Sequence, residues 1–165
     1  MVSLMRQPTT KDFAEYFRLT LEAGVCLETE IETWADAMII ETTSPIPDWL
    51  LNLSIERETS KFKILESVPG IADEITVWNL VLAKLGVAVR AQKIDQERIV
   101  RQLFRWVVER VLPEDYTSMA FTLDDGYDGV QEGWFLLSQF EKDFAEFFRT
   151  FQVYEKWLPE FNLKA

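Results

Sequence analysis

The chain has 165 residues, 28 of them acidic and 17 basic, and its formal net charge is −11. It contains one cysteine and no histidine, which excludes an intrachain disulfide, a histidine-dependent catalytic triad and a zinc site built from the usual cysteine and histidine ligands. The surplus of anions disfavours nucleic acids and anionic membranes as partners and favours a basic protein.

Periodic apolar residues predict four helices in the first half of the chain. The first begins at Thr9 or Thr10, either of which can cap it, and ends at Gly24. A second covers residues 27–41, and a proline-containing loop at residues 44–47 follows it because proline cannot continue a helix. The two remaining helices are short and are predicted at residues 48–53 and 60–67.

The second half centres on a predicted helix at residues 71–91, which is apolar on nearly all sides and should therefore be enclosed by others. The Asp-Asp-Gly-Tyr-Asp-Gly segment at residues 124–129 predicts a turn, because aspartate and glycine both stabilise tight turns. The other helices predicted in this half cover residues 94–112, 115–121 and 131–157. The aromatic side chains of the last one should pack in the core, with an apolar ligand pocket as the alternative.

These elements predict an all-α fold: a single acidic domain over residues 1–165, forming an orthogonal or irregular bundle of about five main helices plus short ones. Hydrophobic residues make up 48% of the chain, which is enough for one core. The most apolar stretch, residues 75–89, is shorter than the roughly 20 residues of a membrane span. No secretory signal is evident, and Cys26 in its apolar setting predicts a buried free thiol, so we expect a cytoplasmic location.

Three acids of the second predicted helix, Glu28, Glu32 and Asp36, are spaced four residues apart and therefore share one helix face. Like charges repel at this spacing, so such a face suits a basic partner or a divalent cation. A solvated helix face is the alternative interpretation.

A second group of candidate partner-binding residues lies in and after the predicted acidic turn. Its members are Asp124, Asp125, Tyr127, Asp128 and Glu132. Oxygen-rich loops can hold calcium, but Phe135 stands at the twelfth position, where an EF-hand loop requires glutamate. The predicted role is contact with a partner, a solubilising turn is the alternative, and no metal or cofactor is expected. Trp157 and Phe161 near the end of the chain are further candidate contacts, because aromatic residues concentrate in binding hot spots.

A basic stripe interrupts the acidic composition. Arg98, Arg101 and Arg105 share one side of the helix at residues 94–112. They are predicted to pair with acids of this chain, for example Arg101 with Glu97, while binding of a phosphate or carboxylate ligand is the alternative.

One segment carries a resemblance to known proteins, and its features are Trp34-Ala35-Asp36, Pro45-Ile46-Pro47 and Leu53-Ser54. A helix with Trp-Ala-Asp, a proline turn and a short apolar helix ending in Leu-Ser resembles small bacterial proteins, some of them similar to immunity proteins of toxin systems. The resemblance covers about 20 residues. It implies a small cytoplasmic bacterial helical domain and toxin neutralisation, and it assigns no functional residue.

The sequence therefore predicts a non-catalytic, acidic, helical protein-binding module of immunity or regulatory type, which neutralises a basic partner by presenting carboxylates in place of phosphates. Glycine-rich nucleotide-binding motifs and paired histidines or cysteines are lacking, so no enzyme is predicted. Two alternatives stay open. One is an enzyme or small-ligand carrier with a metal held by carboxylates, and the other is a structural subunit of a homo-oligomer.

Overall fold

The computed structural model describes residues 6–55 and 59–159, and every regular element in those two ranges is helical. The helices are α1 (Thr10–Glu22), α2 (Glu28–Glu41), α3 (Asp48–Ile55), α4 (Lys61–Ser67), α5 (Glu74–Arg90), α6 (Gln96–Val108), α7 (Glu114–Glu132), α8 (Leu137–Arg149) and a closing 3-10 helix (Gln152–Trp157). The predicted all-α class is confirmed, and the first four helices lie within two residues of their predicted bounds.

Helix α5 forms the centre of the bundle, as its all-round apolar pattern predicts. Residues 77–86 are all buried, and the helix contacts α1, α8 and the 3-10 helix. It begins at Glu74 rather than Ile71, because the side chain of Asp73 accepts a hydrogen bond from the Thr76 N–H at 2.9 Å and caps the helix there. The predicted central position is therefore confirmed with a later start.

Two groups of helices meet at α5. In the first group α1 contacts α4 and α5, α3 contacts α4, and α2 contacts α3; in the second, α6 contacts α7 and α7 contacts α8. Trp106 of α6 is fully buried, and its ring packs edge-on against Trp78 of α5 with centroids 5.0 Å apart. Helix α6 is shorter than predicted at both ends, because Asp95 caps its start and Arg110 has a left-handed φ of +57°.

Asp12 links the start of α1 to the start of α5 through a completely buried carboxylate. Its Oδ2 accepts from the Thr9 N–H at 2.7 Å, and its Oδ1 accepts from the Asp73 N–H at 2.7 Å. Arg6 Nη2 lies 2.8 Å from Oδ2. The carboxylate thus satisfies two backbone donors that lie far apart in sequence and would otherwise be unpaired.

Two buried lysines tie α2 to its neighbours. The Lys84 ammonium of α5 donates to Glu30 Oε1 at 2.7 Å. The Lys61 ammonium of α4 donates to the Leu53 carbonyl at 2.7 Å and lies 3.3 Å from Glu32 Oε1. Both lysines are shielded from solvent, so these are buried ion pairs that join helices and not surface ion pairs.

Replacing Glu30 with glutamine is expected to lower the free energy of unfolding by about 1 kcal/mol near neutral pH, a value kept small because Glu30 is partly exposed. Burial by itself would raise the pKa of Glu30, but bonds from the Lys84 ammonium and the Leu27 N–H outweigh it, so that the pKa lies below its ordinary value of 4.5. A carboxyl with a depressed folded-state pKa contributes stability above its unfolded pKa and loses it as the pH falls through the folded pKa.

Urea unfolding of the wild type and Glu30→Gln between about pH 3 and pH 7 measures this contribution, and the difference should shrink below about pH 4.5. Glu28→Gln is the matched control, because Glu28 lies on the same helix but is exposed. A Glu30→Gln difference that stays constant across the acid range would contradict the assignment.

Cys26 lies in the core of the bundle, and Trp157 packs against that core. The Cys26 thiol is buried, as predicted. Trp157 is partly buried and packs against the core, whereas Phe161 lies outside the described residues. Within residues 6–55 and 59–159, no helix combines the length and the apolar character needed to cross a bilayer.

Candidate partner-binding site

The acidic segment at residues 124–129 lies inside helix α7, so the predicted turn is wrong. The predicted short helix at residues 115–121 is the beginning of this longer one. Each interior glycine costs a helix about 1 kcal/mol relative to alanine, but tertiary contacts outweigh that cost here. Leu123 is buried, and the Tyr127 ring packs edge-on against Phe140 of α8 with centroids 5.6 Å apart.

The predicted single helix at residues 131–157 is also wrong, because α7 ends at Glu132 and α8 begins at Leu137. Gly133 has a left-handed φ of +81° and ends α7. The N–H groups of Trp134 and Phe135 then both donate to the Gly129 carbonyl at 3.0 Å, which closes the turn. Gly133 is the sequence signal for this break, since glycine commonly follows the last turn of a helix.

Two of the predicted partner-binding acids are paired within the chain. Arg101 of α6 places Nη1 at 2.6 Å from Asp124 Oδ1 and Nη2 at 2.5 Å from Asp128 Oδ1, and it lies 5.4 Å from the centroid of the Tyr127 ring. The hydrogen bond to Asp128 raises the pKa of Arg101 above its ordinary value, although burial opposes this, and the bond to Asp124 adds to it. Intramolecular pairing of Arg101 is confirmed, but its partners are not the predicted Glu97.

Two of the three predicted partner-binding carboxylates of α2 also interact with other residues of this chain. Glu32 pairs with Lys61, and Asp36 accepts a hydrogen bond from the Ser54 hydroxyl of α3. Glu28 is exposed at the first turn of α2. The three acids share a helix as predicted, but two of them help to hold α3 and α4 against α2.

Asp125 lines a cavity of about 220 Å³ at the junction of α7 and α8. We call this cavity the acidic cleft; its chemically distinctive members are Asp125, Trp134, Phe135, Phe140 and Asp143. Asp143 accepts from the Gln139 amide at 2.8 Å. The residues that line the cleft include two carboxylates and three aromatic rings, and none of those described is basic.

Exposed apolar side chains lie in the turn between α7 and α8 and at the start of α8. Trp134 is 64% exposed, Leu136 74% and Leu137 54%. Glu132 holds Trp134 by accepting from its indole N–H at 2.7 Å. Exposed apolar side chains grouped beside polar ones mark interaction surfaces more often than isolated ones do. The junction of α7 and α8 is therefore the best candidate for contact with a partner.

Sequence patterns indicated Asp125 and Glu132 but not Phe135, Phe140 or Asp143 as parts of this site. Helix α8 supplies Phe140 and Asp143. The single helix predicted at residues 131–157 contained no turn, and the turn is what brings these two residues to the same cavity as Asp125. Within the described part of the chain, acids do not converge in groups of three or more that could hold a metal ion.

Comparisons of this chain with protein-family models, with curated proteins and with solved structures found no match. The geometry of the acidic cleft is therefore the basis for a functional assignment.

Proposed function

We propose that this protein is a binding module that takes a basic protein partner at the acidic cleft. A lysine or arginine side chain of the partner enters between Asp125 and Asp143, while apolar residues of the partner pack on Trp134 and the exposed leucines beside it. The observation that carries the proposal is a cavity whose described lining offers two carboxylates and several aromatic rings and no cation.

The chemistry of the cleft suits a cationic side chain. A carboxylate forms strong, charge-assisted hydrogen bonds with guanidinium or ammonium groups. An aromatic face attracts the same cations by about 0.5–2 kcal/mol, more when water is excluded. The volume of about 220 Å³ lies below the range of pockets for drug-sized molecules, so a single side chain fits better than a free ligand of that size.

The charge of the whole chain supports the same class of partner. A formal net charge of −11 speeds the encounter with a basic protein by long-range attraction. Neutralisation of a basic toxin, the function implied by the resemblance over residues 34–54, is the specific form that we propose. Carboxylates at the acidic cleft would then occupy the surface of the toxin that otherwise contacts phosphates.

A peptide of alternating arginine and leucine provides a defined probe for calorimetric titration. Replacing both Asp125 and Asp143 with asparagine is expected to weaken its binding about tenfold, equivalent to about 1.4 kcal/mol. Trp134→Ala should weaken binding by a similar factor without changing the charge. The same peptide with citrulline in place of arginine keeps the shape but lacks the charge, and it should bind weakly to every variant.

Glu41→Gln combined with Glu66→Gln is the matched control, because both glutamates are exposed on other helices and the change in net charge is the same. This control should bind the peptide within about twofold of the wild type. Equal losses in the two double variants would mean that only net charge attracts the peptide, and the proposal would then be wrong. Binding should weaken as salt rises from about 50 to about 200 mM.

A further inference from the structure

A second cavity, of about 260 Å³, lies between α5 and α8 and differs from the acidic cleft in its chemistry. Gly86 of α5 and Phe144 and Phe148 of α8 provide apolar walls. Ala145 also lines the cavity and is exposed, so it lies where the cavity meets solvent. We call this the arginine-rimmed cavity, because its charged lining residues are Arg90 and Arg149.

The charged side chains that line this cavity are basic, unlike those of the acidic cleft. Arg90 and Arg149 contribute two cations, and none of the described residues that line the cavity is acidic. Gln96 and Gln152 add amide groups that can donate hydrogen bonds. An apolar cavity bordered by two guanidinium groups offers hydrogen-bond donors that suit an anionic head group, in a chain whose formal net charge is −11.

The arginines are held in position by acids outside the cavity lining. Arg90 pairs with Glu155 through Nη2 at 2.5 Å, and Arg149 pairs with Glu146 through Nη2 at 2.5 Å. The other terminal nitrogen of Arg90, Nη1, lies beside Gly86, only 3.4 Å from where a Cβ on that residue would stand. A guanidinium has five N–H donors, so a pair that uses Nη2 still allows Nη1 to donate to a ligand.

We infer that the arginine-rimmed cavity binds a small amphipathic anion, a carboxylate or sulfonate on a short apolar body. The apolar body packs against Phe144 and Phe148, and the anionic head accepts from Arg90 and Arg149. The cavity is slightly smaller than typical drug-binding pockets, which favours a short chain over a long-chain lipid. This site is independent of the acidic cleft and of the partner proposed for it.

Calorimetric titration with octanoate, octylammonium and 1-octanol tests the inference, because the three probes share one apolar body and differ in the charge of the head. Octanoate should bind saturably with one site per chain, and octylammonium should bind at least about tenfold more weakly. Ala145→Trp places a bulky ring in the mouth of the cavity at an exposed position and should abolish octanoate binding.

Arg149→Gln should weaken octanoate binding about fivefold to tenfold. Lys142→Gln is the matched control on the same helix, since it removes the same charge from an exposed residue outside the cavity lining and should bind octanoate as the wild type does. If Ala145→Trp failed to fold, the comparison of Arg149→Gln with Lys142→Gln would still test whether Arg149 binds the anionic head of octanoate. Octylammonium binding as tightly as octanoate, or equal effects at Arg149 and Lys142, would overturn the inference.

Discussion

Replacing Asp12 with alanine is expected to lower the free energy of unfolding by about 3 kcal/mol. The substitution leaves the N–H groups of Thr9 and Asp73 without their acceptor, and both bonds to Asp12 are short at 2.7 Å. It also deprives Arg6 of its carboxylate partner and removes the capping box of α1. Because one donor belongs to the start of α5, the loss weakens the contact between two helices and not only one helix end.

Two matched variants separate these contributions in urea unfolding experiments. Asp12→Asn keeps one oxygen acceptor and loses the charge, so its cost should be intermediate, about 1–2 kcal/mol. Asp73→Ala removes an exposed cap that accepts from Thr76 and should cost about 1 kcal/mol. A cost for Asp12→Ala no greater than that for Asp73→Ala would contradict the role given to the buried carboxylate.

Two glycines of α7 are expected to respond to alanine with opposite signs. A Cβ on Gly129 would stand 2.8 Å from the Trp134 ring and 2.9 Å from Phe135 Cβ, closer than atoms can pack. Gly129→Ala should therefore destabilise the protein by about 1–3 kcal/mol despite the better helix propensity of alanine. A Cβ on Gly126 would stand 3.4 Å from the Phe140 ring, an ordinary contact, so Gly126→Ala should stabilise by about 0.5–1 kcal/mol.

Thermal or urea unfolding of the two variants checks the prediction, and equal signs would contradict the packing of Trp134 on α7. The same pair of variants also bears on the proposed function. Displacing Trp134 alters the wall of the acidic cleft, so Gly129→Ala should weaken binding of the arginine-leucine peptide. Gly126→Ala adds only a methyl group to the cleft and should leave more of the affinity in place.

Helix positions in the first half of the chain were predictable because local signals agree with the tertiary structure there. Thr9 caps α1 as expected, and proline at positions 45 and 47 separates α2 from α3. The all-round apolar pattern of residues 71–91 likewise identified α5 as the central helix. At these elements the burial demanded by the core and the preferences of the local sequence point to the same structure.

The helical structure of residues 124–129 was not predictable from local signals, because tertiary contacts decide it. Gly126 and Gly129 favour a turn locally, yet Arg101 joins Asp124 to Asp128 across one helical turn, and the close approach of Trp134 requires a glycine at position 129. The acidic cleft was only half predicted, because the apolar periodicity of residues 131–157 favoured one continuous helix despite Gly133. Asp125 was identified, but Asp143 becomes its neighbour only once the chain reverses at Gly133.

The buried ammonium groups of Lys61 and Lys84 have a consequence for chemical modification. Acylating reagents attack a deprotonated amine that they can reach, and both of these amines are enclosed between helices and engaged by glutamates. Exposed lysines such as Lys63 and Lys142 should react at once, whereas Lys61 and Lys84 react only when α2 separates from its neighbours. Peptide mass spectrometry of the chain at successive times of acylation would therefore measure the rate of that local opening.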